Sequence, residues 1–250
     1  MSHPFLDSLF SHRSIRKFKD QPISSGHLDQ ILAAAIRAPS ASNLQHYTLV
    51  VVQQPQTIKT LGWEGAPLAI VALVDEYRIR RWLETRQDQP VDPGSASHFF
   101  IGFWDAILTL HQAVVAAESL GLGTCYFGGI LGVNIYDILG APEHTFPAGM
   151  AVFGYPDEAP DLSMRLPGQA VIHHERYHIP TEDELYHWYQ EREAKWEQTS
   201  QKTRQRLAEQ GIFSIPQAVR AQKYTRQALL DRDQGIIENL KRSKFDLTHE

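Results

Sequence analysis

Hydrophobic positions along the chain change period several times, and each period predicts an element. Phe5, Leu6, Leu9 and Phe10 have the spacing of a short amphipathic helix that ends near His12. Leu28, Ile31, Leu32, Ala35 and Ile36 repeat at helical spacing behind Ser24, a side chain suited to capping a first turn, and Pro39 closes the run. Tyr47–Val52 is rich in β-branched residues and predicts a strand, and Pro55–Leu61 predicts a short helix closed by Gly62. Pro67–Asp75 is apolar at consecutive positions, the pattern of a strand covered on both faces. Glu84–Ser97 is polar, contains Pro90, Pro93 and Gly94, and predicts a mobile loop. His98–Leu120 is the longest helical candidate. It is apolar around most of its circumference, which predicts burial at the centre or in a subunit interface. Gly121-Leu122-Gly123 breaks it; a strand over Thr124–Phe127, a tight turn at Gly128-Gly129, a short helix over Val133–Leu139 and a buried strand over Phe146–Tyr155 follow. Helix and strand alternate from Ser24 to Tyr155, so the core is an α/β or α+β sheet flanked by helices.

Beyond Pro180 the apolar period weakens and charge rises. Thr181-Glu182-Asp183-Glu184 opens a helix with acids where the dipole favours them, and this helix is expected to reach about Gln210. A second is expected from about Ile215 towards Lys244. The first 180 residues carry 12 Lys/Arg against 17 Asp/Glu, and the last 70 carry 12 of each sign. The tail is therefore about twice as densely charged. That division predicts a core domain at 1–180 and a charged helical extension at 181–250. The net charge of −5 argues against general affinity for nucleic acid. One cysteine excludes a disulfide framework and fits a reducing cytoplasm. No basic segment leads into an apolar run at the N-terminus, and Leu68–Val74 is too short to span a bilayer. The expectation is a soluble cytoplasmic protein without a membrane partner.

His174-Glu175-Arg176-Tyr177-His178 matches the H-E-x-x-H pattern of zinc hydrolases formally. That chemistry needs a helix to stack the two imidazoles one turn apart, and Ile179-Pro180 closes the segment at once. In an extended chain the two would stand roughly 13 Å apart, too far to share a metal, and the segment is then a polar connector. Gly121-Leu122-Gly123 closes a helix and opens a strand, the reverse of a dinucleotide-binding glycine loop. Cys125 lies among apolar neighbours and reads as a structural thiol. Between His12 and Lys19 five potential cations fall within eight residues with no acid, a composition suited to an anion. Ser40–Gln45 is a second donor-rich segment. Tyr126-Phe127-Gly128-Gly129 is a third, where paired glycines after a strand let backbone amides approach a planar ligand.

Taken in order, His12-Arg13-Ser14-Ile15-Arg16, Ala38–Gln45, Ala117–Gly123 with Tyr126–Gly129, and Pro160–Pro167 resemble the FMN-dependent nitroreductase and NAD(P)H:flavin oxidoreductase family, particularly its longer NADPH-preferring branch. The resemblance implies an α+β fold with a central, mostly antiparallel sheet, an intertwined homodimer, and tightly bound FMN at the subunit interfaces. It implies that His12, Arg13 and Ser14 hold phosphate and ribityl oxygens, that Arg165 reaches the phosphate, and that Arg16 lies near the N1–C2 carbonyl edge. Ser40, Ser42 and Gln45 would come from the other subunit. Tyr126 belongs to the same cofactor set, and the Gly128 and Gly129 amides would face N5 and O4. Hydride would pass from NADPH or NADH through the flavin to a small electron-poor acceptor (a quinone, nitroaromatic or free flavin) by a ping-pong route. No side-chain nucleophile is required, because the cofactor carries the chemistry. Two departures from the branch are visible: Ser163 stands where close relatives carry a lysine two residues before Arg165, and Leu61–Pro67 is shorter. Alternatives are a more specialised flavin chemistry on the same fold, such as dehalogenation or flavin fragmentation, a flavin-binding module without turnover, and a zinc hydrolase built on His174, Glu175 and His178.

Overall fold

The computed structural model describes residues 3–86 and 94–247, which fall into two compact units: 1–162 together with 233–250, and 163–232. The composition change at residue 180 lies inside the second unit. In the first, α1 (Pro4–Phe10), α2 (Ser25–Ala35), β1 (Tyr47–Val52), α3 (Pro55–Thr60), β2 (Leu68–Asp75), α4 (Tyr77–Glu84), α5 (Ala96–Ser119), β3 (Gly123–Phe127), α6 (Ile135–Leu139) and β4 (Thr145–Gly154) follow one another. The strands form one antiparallel sheet in the order β1-β2-β4-β3. It is an α+β core.

The central strands β2 and β4 are buried along their whole length. Along β2, Leu68, Ile70, Ala72 and Val74 join one apolar cluster with Ile31 and Ala35 of α2 and Phe99, Ala106, Leu110 and Ala113 of α5. Ala69, Val71 and Leu73 join the other, with Ile58 of α3 and Ile135 of α6. The strand period of two thus feeds two helical layers, which is why the sequence reads as a continuous apolar run. Ser24 caps α2, its side chain accepting from His27 N, as its position predicts.

The long helix is buried on one face only within the single chain. α5 buries Phe99, Gly102, Ala106, Leu110, Ala113 and Ala117 on the sheet side, while Phe100 is 57% exposed, Trp104 66% and Leu108 45%. Its apolarity is therefore shared between a buried face and an open one. By length and composition alone it is long and apolar enough to cross a membrane, although Asp105, His111 and Gln112 interrupt its apolar run. The expected loop at Glu84–Ser97 is bounded more tightly. α4 reaches Glu84, and Ser95 caps α5 by accepting from His98 N. Residues 87–93 lie outside the described residues.

The second unit contains α7 (Glu182–Gln198), α8 (Gln201–Ala208) and α9 (Ile215–Lys223); α10 (Arg226–Ser243) starts there and ends in the first unit. Each of the two predicted tail helices is in fact a pair. Ser200 interrupts the first, its hydroxyl accepting from Thr203 N, and Thr225 interrupts the second by accepting from Ala228 N. A hydroxyl that binds the next turn's amide starts a new helix rather than continuing the old one. The end of α10 closes the first unit. Asn239, 2% exposed, donates from Nδ2 to the carbonyls of Leu131 (2.8 Å) and Val133 (2.9 Å).

Candidate functional site

The start of the basic segment, residues 12–15, lies against β3 and the end of α5, and residues 17–19 pair with Tyr155–Asp157 just past β4. Ile15 N donates to Thr124 O at 2.8 Å, and Ser14 makes a parallel bridge to Thr124. Gly123 makes this approach possible, since a Cβ there would come within 2.8 Å of Ile15 side-chain atoms. The His12 ring is held by a carboxylate: Nδ1 stands 2.8 and 3.0 Å from the two Glu118 oxygens, and Thr124 Oγ1 donates to Glu118 Oε1 at 2.6 Å. Arg13 donates from Nη1 to Pro160 O and from Nε to Ser11 O, which fixes the guanidinium plane with main-chain acceptors. Arg16 is exposed, and its backbone N–H and that of Lys17 both donate to Glu158 Oε1, at 2.5 and 3.1 Å. These two amides hold the Glu158 carboxyl below its ordinary value. His12, Arg13, Glu118 and Glu158 line a cavity of about 270 Å³. Sequence reasoning treated this region as purely cationic; two acids share it.

At the other end of β3, the Tyr126 hydroxyl meets His111 Nδ1 at 2.9 Å. Burial, with a smaller contribution from the Glu118 charge, raises the Tyr126 phenol above its ordinary range, so it stays protonated at neutral pH. The two glycines that follow differ. A Cβ on Gly129 would lie 2.4 Å from the Phe127 ring, whereas one on Gly128 would meet nothing within 4 Å. Gly129 therefore admits the ring of Phe127, which Trp63 meets edge-on at 5.9 Å, and Gly128 leaves open space over its backbone. The predicted tight turn is a short 3₁₀ helix over Gly128–Gly132.

Ser40, Ser42 and Gln45 belong to the connection between α2 and β1. Ser42, Asn43 and Gln45 have φ of 51°, 54° and 55°, a left-handed backbone that costs a non-glycine residue about 1 kcal/mol. Asp105 of α5, 4% exposed, holds this backbone: its carboxylate accepts from Ala41 N at 3.1 and 3.3 Å and from His46 N at 3.3 Å. Arg78 Nη2 also donates to Gln45 O. Within one chain this segment stands far from residues 12–15. Tyr47 pairs with Val74 and Val74 with Phe146 at one end of the sheet, while Thr124 pairs with Phe153 and Phe153 with Leu68 at the other. β1 and β3 are the two edges. The two donor groups therefore occupy diagonally opposite corners, on the order of 20 Å apart.

Arg165 belongs to the second unit, where it is exposed and donates from Nη1 to Ser163 O and Met164 O. In the same unit His174-Glu175-Arg176-Tyr177-His178 is not helical. His178 N donates to His173 Nδ1, His178 Nε2 stands 3.0 Å from Glu184, and Glu175 has a φ of 61°. Among the described residues no cluster of three or more His, Cys, Asp or Glu side chains is arranged for a metal ion. Sequence reasoning missed Asp105 and the use of Glu118, Thr124, Glu158 and His111. The available signal was a lone acid in the apolar stretch Phe99–Leu110, and a second acid in the last turn of that helix, where the dipole disfavours it.

Comparison with known proteins agrees with this architecture. The sequence model of the nitroreductase family matches residues 9–62 and 56–155. FMN reductase [NAD(P)H] of Bacillus subtilis is 32% identical over 213 residues, covering 78% of this chain and 86% of its own length. The oxygen-insensitive NADPH nitroreductase of Salmonella typhimurium is 31% identical, covering 77% of this chain and 82% of its own. The solved structure of NfrA2 from B. megaterium superposes with a TM-score of 0.79 at 29% identity over 99% of this chain and all of that one. The chain belongs to the nitroreductase family.

Proposed function

We propose that the protein binds FMN and, as a homodimer, passes hydride from NADPH or NADH to a small electron-poor acceptor such as a quinone, a nitroaromatic or free flavin. The observation that carries the reading is the build of β3. Its start is bridged to Ser14 and lines one cavity with His12 and Arg13, and its end opens at the unobstructed backbone of Gly128. The four residue steps from Thr124 to Gly128 span roughly 13 Å, a distance that a ribityl phosphate with its ring can bridge. The names of the relatives support the same cofactor and co-substrate.

In this reading His12, Arg13 and Ser14 bind phosphate and ribityl oxygens. Arg16 places a fixed cation at the N1–C2 edge, where it stabilises negative charge electrostatically. Gly128 and Gly129 present amides towards N5 and O4, beside the protonated Tyr126 phenol. Bound FMN supplies the hydride chemistry itself. The partner's Ser40, Ser42 and Gln45 complete the site. Their distance from β3 within one chain and the open apolar face at Phe100, Trp104 and Leu108 both favour a second copy of the chain. The charge-dense segment 181–250 is read as an extension of the chain past residue 180 whose last part, 233–250, belongs to the first unit, and a single buried cysteine agrees with a cytoplasmic setting.

Anaerobic titration of the FMN-loaded protein with NADH and with NADPH, followed by flavin absorbance, tests this reading. Bleaching by either nucleotide and recovery on adding a quinone is expected. Purified protein that takes up no FMN would overturn the proposal.

A further inference from the structure

We infer that Glu118 is the positioning residue of the anion end of this site, fixing through His12 the atom presented to the FMN phosphate. The inference rests on the flavin reading above and deepens it. A carboxylate offers no proton, so in the contact of 2.8 and 3.0 Å the proton is on His12 Nδ1, and Nε2 becomes the ring atom that a ligand oxygen can meet. Thr124 completes the clamp: its hydroxyl donates to Glu118, so the carboxylate ties His12 to the strand residue whose carbonyl separately accepts from Ile15 N.

The placement of the acid argues for this use. Glu118 sits in the last turn of a 24-residue helix, against the dipole, with its side chain only 17% exposed and next to the cations that an anion needs. On charge alone it would weaken both the helix end and phosphate binding. The hydrogen bonds from His12 and Thr124 offset this. Arg13 needs no such help, because main-chain carbonyls already orient it. His12 is the donor whose direction depends on a side chain 106 residues away.

The two roles open to Glu118 predict opposite signs. A carboxylate that merely repels phosphate would, once neutralised, let FMN bind more tightly; one that aims His12 would, once neutralised, make it bind more weakly. The full chain, stripped of flavin, is titrated with FMN and with riboflavin by flavin fluorescence for wild type, Glu118→Gln, His12→Ala and the double variant. Glu118→Gln is expected to raise the FMN Kd about tenfold and to leave the riboflavin Kd within about twofold. In the His12→Ala background the same substitution is expected to change the FMN Kd less than about twofold, because it has nothing left to position. Thr124→Val, which removes only the hydroxyl, is expected to raise the FMN Kd about threefold and serves if Glu118→Gln fails to fold. Tighter FMN binding in Glu118→Gln, an undiminished effect without His12, or equal loss of riboflavin overturns the inference. A wild-type chain that binds neither flavin overturns the flavin reading itself, and this inference with it.

Discussion

Residues 12–15 and 40–45 are the two donor-rich segments of the first unit, and they are built in opposite ways. The first is extended, bridged to an edge strand and steered through side chains, with Glu118 on His12 and Thr124. The second is left-handed at three non-glycine positions and steered through its backbone, with Asp105 on two amides. Both carboxylates come from α5, 13 residues or about 20 Å apart. One rigid helix thus sets two loops, and it can do so by either currency, side chain or main chain. The difference predicts different failures. Losing the side-chain clamp loosens a ligand contact, whereas losing the backbone clamp releases strained chain.

Asp105→Ala is the strongest test of that difference. It leaves buried amides unsatisfied and removes the restraint on the left-handed residues, so thermal or urea unfolding should show a loss of about 3 kcal/mol. A loss as small as that of a surface substitution would mean that the segment holds its own shape. Next in size, Trp104→Asp places a charge on the open face of α5. It is expected to weaken self-association roughly thirtyfold, about 2 kcal/mol, by light scattering across a dilution series, and to weaken FMN binding in parallel if the two segments meet across subunits. Gly123→Ala pushes a methyl group into Ile15 and should cost about 1–2 kcal/mol of stability while leaving the backbone around Ser42 untouched, as amide hydrogen exchange can show. The smallest effect concerns acid. Glu158 is held below its ordinary 4.5, so the folded state binds its proton less readily than the unfolded chain. Its contribution is present above pH 4.5 and is lost as pH falls through the lowered value. A Glu158→Gln variant should lack that part of the acid-side decline in stability, read by melts below pH 5.

Much of the sheet was legible because β-branched and continuous apolar runs are local signals. Tyr47–Val52 and Leu68–Asp75 match their predicted ranges closely. α4 was not, since Tyr77–Glu84 is only about two turns long and, although Ile79, Trp82 and Leu83 fall at helical spacing, buries only Ile79. The candidate site shows a sharper limit. Sequence could nominate donors by type, but what aims them lies far along the chain, 64 residues from Ala41 to Asp105 and 106 from His12 to Glu118. An acid inside an apolar helix announces that something is bound there without saying what. The breaks at Ser200 and Thr225 were missed for a different reason: hydroxyl residues are tolerated within helices, and only their bonds to the following turn mark them as starts.

The clasp made by Asn239 bears on how the protein is made. The carbonyls of Leu131 and Val133, just past the paired glycines, find their partner 108 and 106 residues later. While the chain is emerging from the ribosome, at roughly 5–20 residues per second, those carbonyls wait several seconds for the amide that satisfies them. The loop beside the proposed ring site can reach its native bonding only after Asn239 has been added, well after the strands of the sheet. Maturation of the site therefore follows that of the sheet, and a ribosome stalled before Asn239 is added would carry a sheet already paired yet a loop still unfastened.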